Sequence, residues 1–284
     1  MKQVGLFRQV SIGIIWVWLA LFALVPSVMV FFASFLTRGE TEFFLFAFNP
    51  GNYLRMFDSL YVQVFLSSFY LAALTTVLCL LCGYPFAYLL ARSRSRYRHI
   101  LLLLVIIPFW TSSLIRTYAM IILLKTKGIV NNVLLWAGII DRPLAILYTD
   151  AAVFIGLVYS LLPFMVLPLY SSIEKLDPRI IEAARDLGAN RPRTFAKIII
   201  PLTMPGIVAG SMLVFLPALG MFYIPDLLGG AKTLLVGNLI KNQFLSARDW
   251  PFGSAVSMVL TAVMALMLLV YYKSVRMTHR RGLT

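Results

Sequence analysis

Few residues in this 284-residue chain can do chemistry, and their types exclude most enzymes. Cys79 and Cys82 lie in one uncharged run as Cys-Leu-Leu-Cys, and the only histidines are His99 and His279. A zinc or redox centre needs further ligands, so two thiols packed on one helix face account for the pair. No glycine is followed by lysine, so the phosphate-binding pattern G-x-x-x-x-G-K-[ST] does not occur. The stretch Gly220-Met-Phe-Tyr-Ile-Pro-Asp-Leu-Leu-Gly-Gly230 is different, because it sets Phe222, Tyr223 and Asp226 beside a proline. A carboxylate with aromatic faces is the combination that holds a cation. Lys241 suits a complementary role, as a cation that gives up an aspartate when a ligand arrives. Trp110, Tyr118, Tyr159, Asp249 and Trp250 are secondary candidates. An interfacial belt of aromatic residues with an aspartate at a loop end gives the same pattern. The residues alone leave both readings open.

The elements that carry these side chains are apolar. The composition is 61% hydrophobic and 13% charged, with a mean hydropathy of +0.88. A soluble domain of this length needs more polar surface, so lipid is the expected solvent. A membrane helix takes about 20 apolar residues. On that measure the chain reads as an all-α membrane protein, a six-helix transmembrane bundle forming one domain over 1–284. The expected spans are about 12–36, 62–91, 100–124, 151–173, 198–225 and 250–272. The first run is roughly twice the length of a signal-peptide core and no small-x-small site follows it, so it reads as a retained anchor. Arg116 alone interrupts the third span, about 25 Å along it at 1.5 Å per residue. From there it can snorkel to the outer interface or pair with an aspartate in a gate. Nine prolines inside the runs, Pro108, Pro217 and Pro225 among them, imply bent helices around a pathway.

Charge then sets orientation. Of 25 Lys and Arg, sixteen fall in the N-terminal tail, loop 92–99, segment 174–197 and the C-terminal tail. The positive-inside rule places those segments, and both termini, in the cytoplasm. Glu40, Glu42, Asp58, Asp141, Asp150, Asp226 and Asp249 fall on the other side. The net charge of +14 is thereby explained without nucleic acid. Between 226 and 249, Gly229-Gly230 followed by Thr233-Leu-Leu-Val-Gly-Asn-Leu-Ile240 suggests a re-entrant or interfacial helix. The spans hold no Asp, Glu or His, which argues against an intramembrane enzyme and against a proton-coupled carrier.

Segment 174–197 is the most informative. Asp177 suits an N-cap, Pro178 the first helical position and Gly188 the C′ position, so a helix of about ten residues lies between them. Ile180, Ala184 and Leu187 are expected on one face with Ile181 beside them, and Glu182, Arg185 and Asp186 on others. A second helix beginning at Pro192 leads straight into the fifth span. Such an element fits a groove on a soluble partner, or rests on lipid headgroups.

Glu182-Ala183-Ala184 with Gly188, Ile198, Pro201 and Leu202 resembles the EAA loop of ABC-importer permeases. That resemblance implies the fold of a type I importer permease in the bacterial inner membrane. It makes this helix the coupling helix, with Glu182, Ala183, Ala184, Asp186 and Gly188 docking into an ATP-binding subunit. Phe109–Tyr118, Leu161–Asp177 and Arg248–Gly253 are similar to the B-type permeases of spermidine/putrescine importers, and the likeness covers nearly the whole chain. It implies a second, C-type permease, a homodimeric ATPase binding ATP and Mg, and a periplasmic polyamine-binding protein. No cofactor is expected in this chain. Polyamines are flexible polycations, so Phe222, Tyr223, Asp226, Lys241, Trp110 and Tyr159 become candidates for a substrate pathway or gate. A permease for sulfate, molybdate or ferric ion is the alternative; one for an anion should carry more basic and fewer acidic groups near the outer ends of helices three to five.

Overall fold

A computed structural model describes residues 2–39, 43–230 and 234–281. Glu40, Glu42 and Thr233, which entered the charge and re-entrant readings, lie outside the described residues. The chain begins with α1 (Lys2–Leu19) and α2 (Val25–Ala33), continuous through a π-turn at Ala20–Leu24, then β1 (Leu36–Thr37), β2 (Leu45–Phe48) and α3 (Gly51–Arg55). Next come α4 (Ser59–Arg92), α5 (Ser95–Ile106), a 3₁₀ turn at Ile107–Trp110, α6 (Ser113–Leu124), α7 (Ile129–Trp136) and α8 (Asp150–Glu174). They are followed by α9 (Pro178–Asp186), α10 (Arg191–Thr194), a π-turn at Phe195–Ile199 and α11 (Ile200–Gly220). The chain closes with α12 (Tyr223–Gly229), α13 (Val236–Leu245) and α14 (Trp250–Arg281).

Among the described residues six stretches are long and apolar enough to cross a membrane: Arg8–Ala33, Ser59–Arg92, Ser113–Trp136, Asp150–Glu174, Arg191–Gly220 and Trp250–Lys273. Four lie close to the expected spans. The third does not, because residues 100–124 are not one helix. Pro108 lacks the N–H that would continue α5, and Thr111 and Ser112 turn to extended ψ values of 146° and 133° before α6 begins. A distance for Arg116 at a constant 1.5 Å per residue therefore does not hold across the break. The fifth span also stops early, at Gly220 rather than 225, where Met221 is extended at ψ 122°. Pro225 belongs to the separate α12. The short β1–β2 ladder is the one departure from all-α among the described residues.

Both π-turns have a local cause. Val25 N–H bonds Ala20 and Ile200 N–H bonds Phe195, each five residues back, and Pro26 and Pro201 follow immediately. A proline ring clashes with the carbonyl four residues earlier, and the wider turn clears it.

Contacts group the chain into two units. One comprises Met1–Gln63 with Leu239–Leu266. In it the Asn52 side chain donates to the Ser34 and Leu36 carbonyls at 3.0 and 2.9 Å, tying α3 to the end of α2. Asp249 is buried, accepts the Phe252 N–H at the start of α14, and pairs with Arg55 at 3.0 Å. The Arg55 guanidinium also lies 4.2 Å over the Phe252 ring. Asp249 thus holds a helix start and a cation of its own chain.

The other unit comprises Val64–Asn238 with Met267–Thr284, and α8 packed on α11 forms its core. Leu157, Leu161, Met165 and Leu169 are fully buried along α8. Gly206 and Gly210 of α11 meet that helix so closely that a Cβ would sit 2.5 Å from Ser172 Cβ and 2.8 Å from Met165 Sδ. Small residues at crossings are how helices gain van der Waals contact where lipid offers no hydrophobic drive. Tyr84 and Thr203 hydroxyls add a buried hydrogen bond of 2.9 Å between α4 and α11.

Candidate functional site

The first candidate site is α9. Asp177 accepts the Arg179 N–H at 2.9 Å, and Pro178 occupies the first helical position. At the far end the Gly188 N–H bonds Arg185 O at 2.9 Å and the Ala189 N–H bonds Ala184 O at 3.0 Å. That is a Schellman termination, and it needs the left-handed φ of +83° that Gly188 adopts. Asn190 then caps α10 by accepting the Arg193 N–H at 3.0 Å, so the chain passes from α9 through α10 into α11 without slack.

The face assignment requires correction. Ile181 and Ala184 are the buried pair, while Ile180, Ala183 and Leu187 are exposed, Leu187 by 89%. Spacings of three and four residues allow either stripe. Packing selects Ile181 and Ala184 for the chain's own core and leaves an outward stripe at i, i+3, i+7. Glu182, Arg185 and Asp186 are exposed as well.

The second candidate site lies where the third and fifth spans break. The Ser113 hydroxyl, in the first turn of α6, is 2.6 Å from the Tyr223 hydroxyl, in the first turn of α12. Two interrupted helices are thereby joined at their starts, where backbone groups are released from helical pairing. Helix α12 is seated on α8: Ile224 and Leu228 are fully buried, and a Cβ on Gly156 would clash with both. Its end is held by Tyr148, whose N–H donates to Leu228 O at 2.8 Å and whose own φ is +65°. Phe222 and Tyr223 stand edge to face at 6.0 Å, and Asn238 donates to both the Phe222 carbonyl and the Asp226 carboxylate.

Phe222, Tyr223 and Asp226 are thus brought together. Lys241 lies three residues beyond Asn238 on α13, half-buried, in the first unit. Tyr159 joins the region through Arg116, whose guanidinium carbon is 5.8 Å from its ring and 5.6 Å from that of Phe109. Arg116 makes no ion pair with an aspartate of this chain among the described residues. Trp110 is 79% exposed, as an interfacial residue would be. Sequence reasoning missed Ser113 and Asn238. Pro108 with Thr111-Ser112-Ser113 shortly after it is a break signal, and Asn238 is a polar residue within an apolar run.

A family model described as "Binding-protein-dependent transport system inner membrane component" matches residues 83–281, and the chain belongs to that family. It is a membrane-spanning permease subunit, an inner-membrane, multi-pass component of an importer rather than an enzyme. It is 55% identical to the spermidine/putrescine transport system permease protein PotB of Salmonella typhimurium, covering 99% of this chain and 98% of that one. PotB of Escherichia coli is 56% identical, with 93% and 96% covered. A crystal structure of a bacterial ABC transporter importing the polysaccharide alginate superposes with a TM-score of 0.76 at 18% identity, covering 98% and 96%. That likeness carries the fold alone.

Proposed function

We propose that this permease moves spermidine and putrescine from periplasm to cytoplasm, driven by a partner ATPase that docks on α9. The observation that carries the reading is Asp226 gathered with the Phe222 and Tyr223 rings where two spans break. That site offers an ammonium group a carboxylate and ring faces in one place. The names of the Salmonella and Escherichia coli relatives point to the same solutes. The partners are a homodimeric ATPase holding ATP and Mg, a second permease of C type and a periplasmic polyamine-binding protein. The stripe Ile180, Ala183, Leu187 faces outward for the ATPase, with Glu182 and Asp186 flanking it. Both termini are cytoplasmic, on the distribution of Lys and Arg.

Two experiments test this. Cells unable to make polyamines, given this chain with its partners, should resume growth on micromolar-range spermidine, and excess molybdate should not compete. Growth unchanged by the importer, or competition by the anion, removes the polyamine reading. Reporter fusions after Arg94 and Lys273 should report cytoplasm, and one after Asp141 periplasm. A periplasmic signal at Lys273 overturns the orientation.

A further inference from the structure

Arg116 is an unusual cation for a membrane span. Its Nε and Nη1 atoms are buried and have no hydrogen-bond partner among the described residues. What it has instead is two ring faces, Phe109 at 5.6 Å and Tyr159 at 5.8 Å. Arg55 shows the contrast within the same chain: it also lies over a ring, but Asp249 takes its charge. Burying guanidinium nitrogens without an acceptor is costly, and an arginine serving only as a staple is normally given a carboxylate or carbonyl. Ring faces hold a cation loosely and accept another in its place.

The setting gives that exchange a use. Phe109 sits just before the break in the third span and Arg116 just after it, while Tyr159 comes from α8. Phe109 is fixed by an edge-to-face contact with Phe164 of α8 at 5.1 Å, so both walls of the cage rest on one helix. Ser113, between Phe109 and Arg116 in sequence, bonds Tyr223 and so ties the cage to the Asp226 region. We propose that Phe109 and Tyr159 form an ammonium subsite of the pathway and that Arg116 is its resident occupant, displaced by one ammonium group of the solute. The proposal rests on the polyamine reading and extends it. An empty pathway then carries a fixed positive charge that repels small inorganic cations, whereas a polyamine competes for the rings with several charges on one flexible chain.

The test is equilibrium binding of labelled spermidine to the complete importer in lipid nanodiscs, without the binding protein. Arg116→Ala removes the competitor and should bind on the order of tenfold more tightly, while Arg116→Lys should resemble the parent. Adding Phe109→Leu and Tyr159→Leu to Arg116→Ala should cancel that gain. Where the alanine variant does not assemble with its partners, Arg116→Gln takes its place with the same expected shift. The proposal is overturned if neutralising Arg116 gives no tighter binding. It is equally overturned if the gain survives intact without the two rings, since Arg116 would then act only as a distant charge. Spermidine uptake by the parent importer separates the two readings: with uptake present, a negative result removes this subsite alone, and without uptake the polyamine reading falls with it.

Discussion

Gly188→Val should remove most solute uptake while the assembled importer continues to hydrolyse ATP. The reason is conformational rather than steric, because no atom stands within 4 Å of a Cβ built at Gly188. Its φ of +83° is the difficulty. A left-handed conformation costs an ordinary L-residue about 1–2 kcal/mol, and a β-branched one is the worst placed to adopt it. Relaxing it breaks the Schellman hydrogen bonds to Ala184 and Arg185 and turns α9 away from α10 and α11. Uptake per ATP should fall by roughly tenfold or more. Gly188→Asn, which tolerates the left-handed region, should retain most of it. Glu182→Ala should also uncouple while leaving the fold intact, since Glu182 is exposed. Normal transport by both Gly188→Val and Glu182→Ala would reduce α9 to a surface helix.

The second large effect is at Asp226. Asp226→Asn keeps an oxygen to accept from Asn238 and removes the charge. Hydrogen bonds to charged groups contribute about 1.5–3 kcal/mol, which puts the expected loss of uptake at roughly ten- to a hundredfold. Tyr223 should behave differently from a simple ring. Its hydroxyl holds α12 to α6 through Ser113, so Tyr223→Phe and Ser113→Ala should lose similar amounts, about 0.5–1.5 kcal/mol each. Combining them should cost little more than either alone. Tyr223→Ala should be worse, as it removes the ring face too. Parent-like uptake by Asp226→Asn would leave Phe222 and Tyr223 as interfacial belt residues and place the cation site on the companion permease.

The parts of the fold legible in the sequence were those governed by local rules. Asp177, Pro178 and Gly188 bound α9 because capping and left-handed backbone are set by the residues themselves. Hydropathy located the spans because lipid demands it of every stretch. What escaped depended on neighbours distant in sequence. The choice between the Ile181–Ala184 stripe and the Ile180–Ala183–Leu187 stripe was made by packing, and periodicity admits both. The breaks at Thr111–Ser112 and Met221 follow prolines at 108 and 217, yet other prolines, such as Pro163 and Pro168, lie inside unbroken α8. A proline lowers the cost of a break without requiring one; the Ser113–Tyr223 bond and the seat of α12 on Gly156 are formed where these two occur.

Reconstitution separates a polyamine importer from an anion permease in one measurement. The importer, assembled from this chain, its companion permease, the ATPase and the binding protein, is placed in proteoliposomes, and labelled spermidine and ATP hydrolysis are followed together. Spermidine should accumulate in an ATP-dependent manner that requires the binding protein, is competed by putrescine and not by molybdate or sulfate, and is lost in Asp226→Asn. Accumulation of an anion instead, or spermidine uptake that proceeds without ATP, would contradict the proposed function.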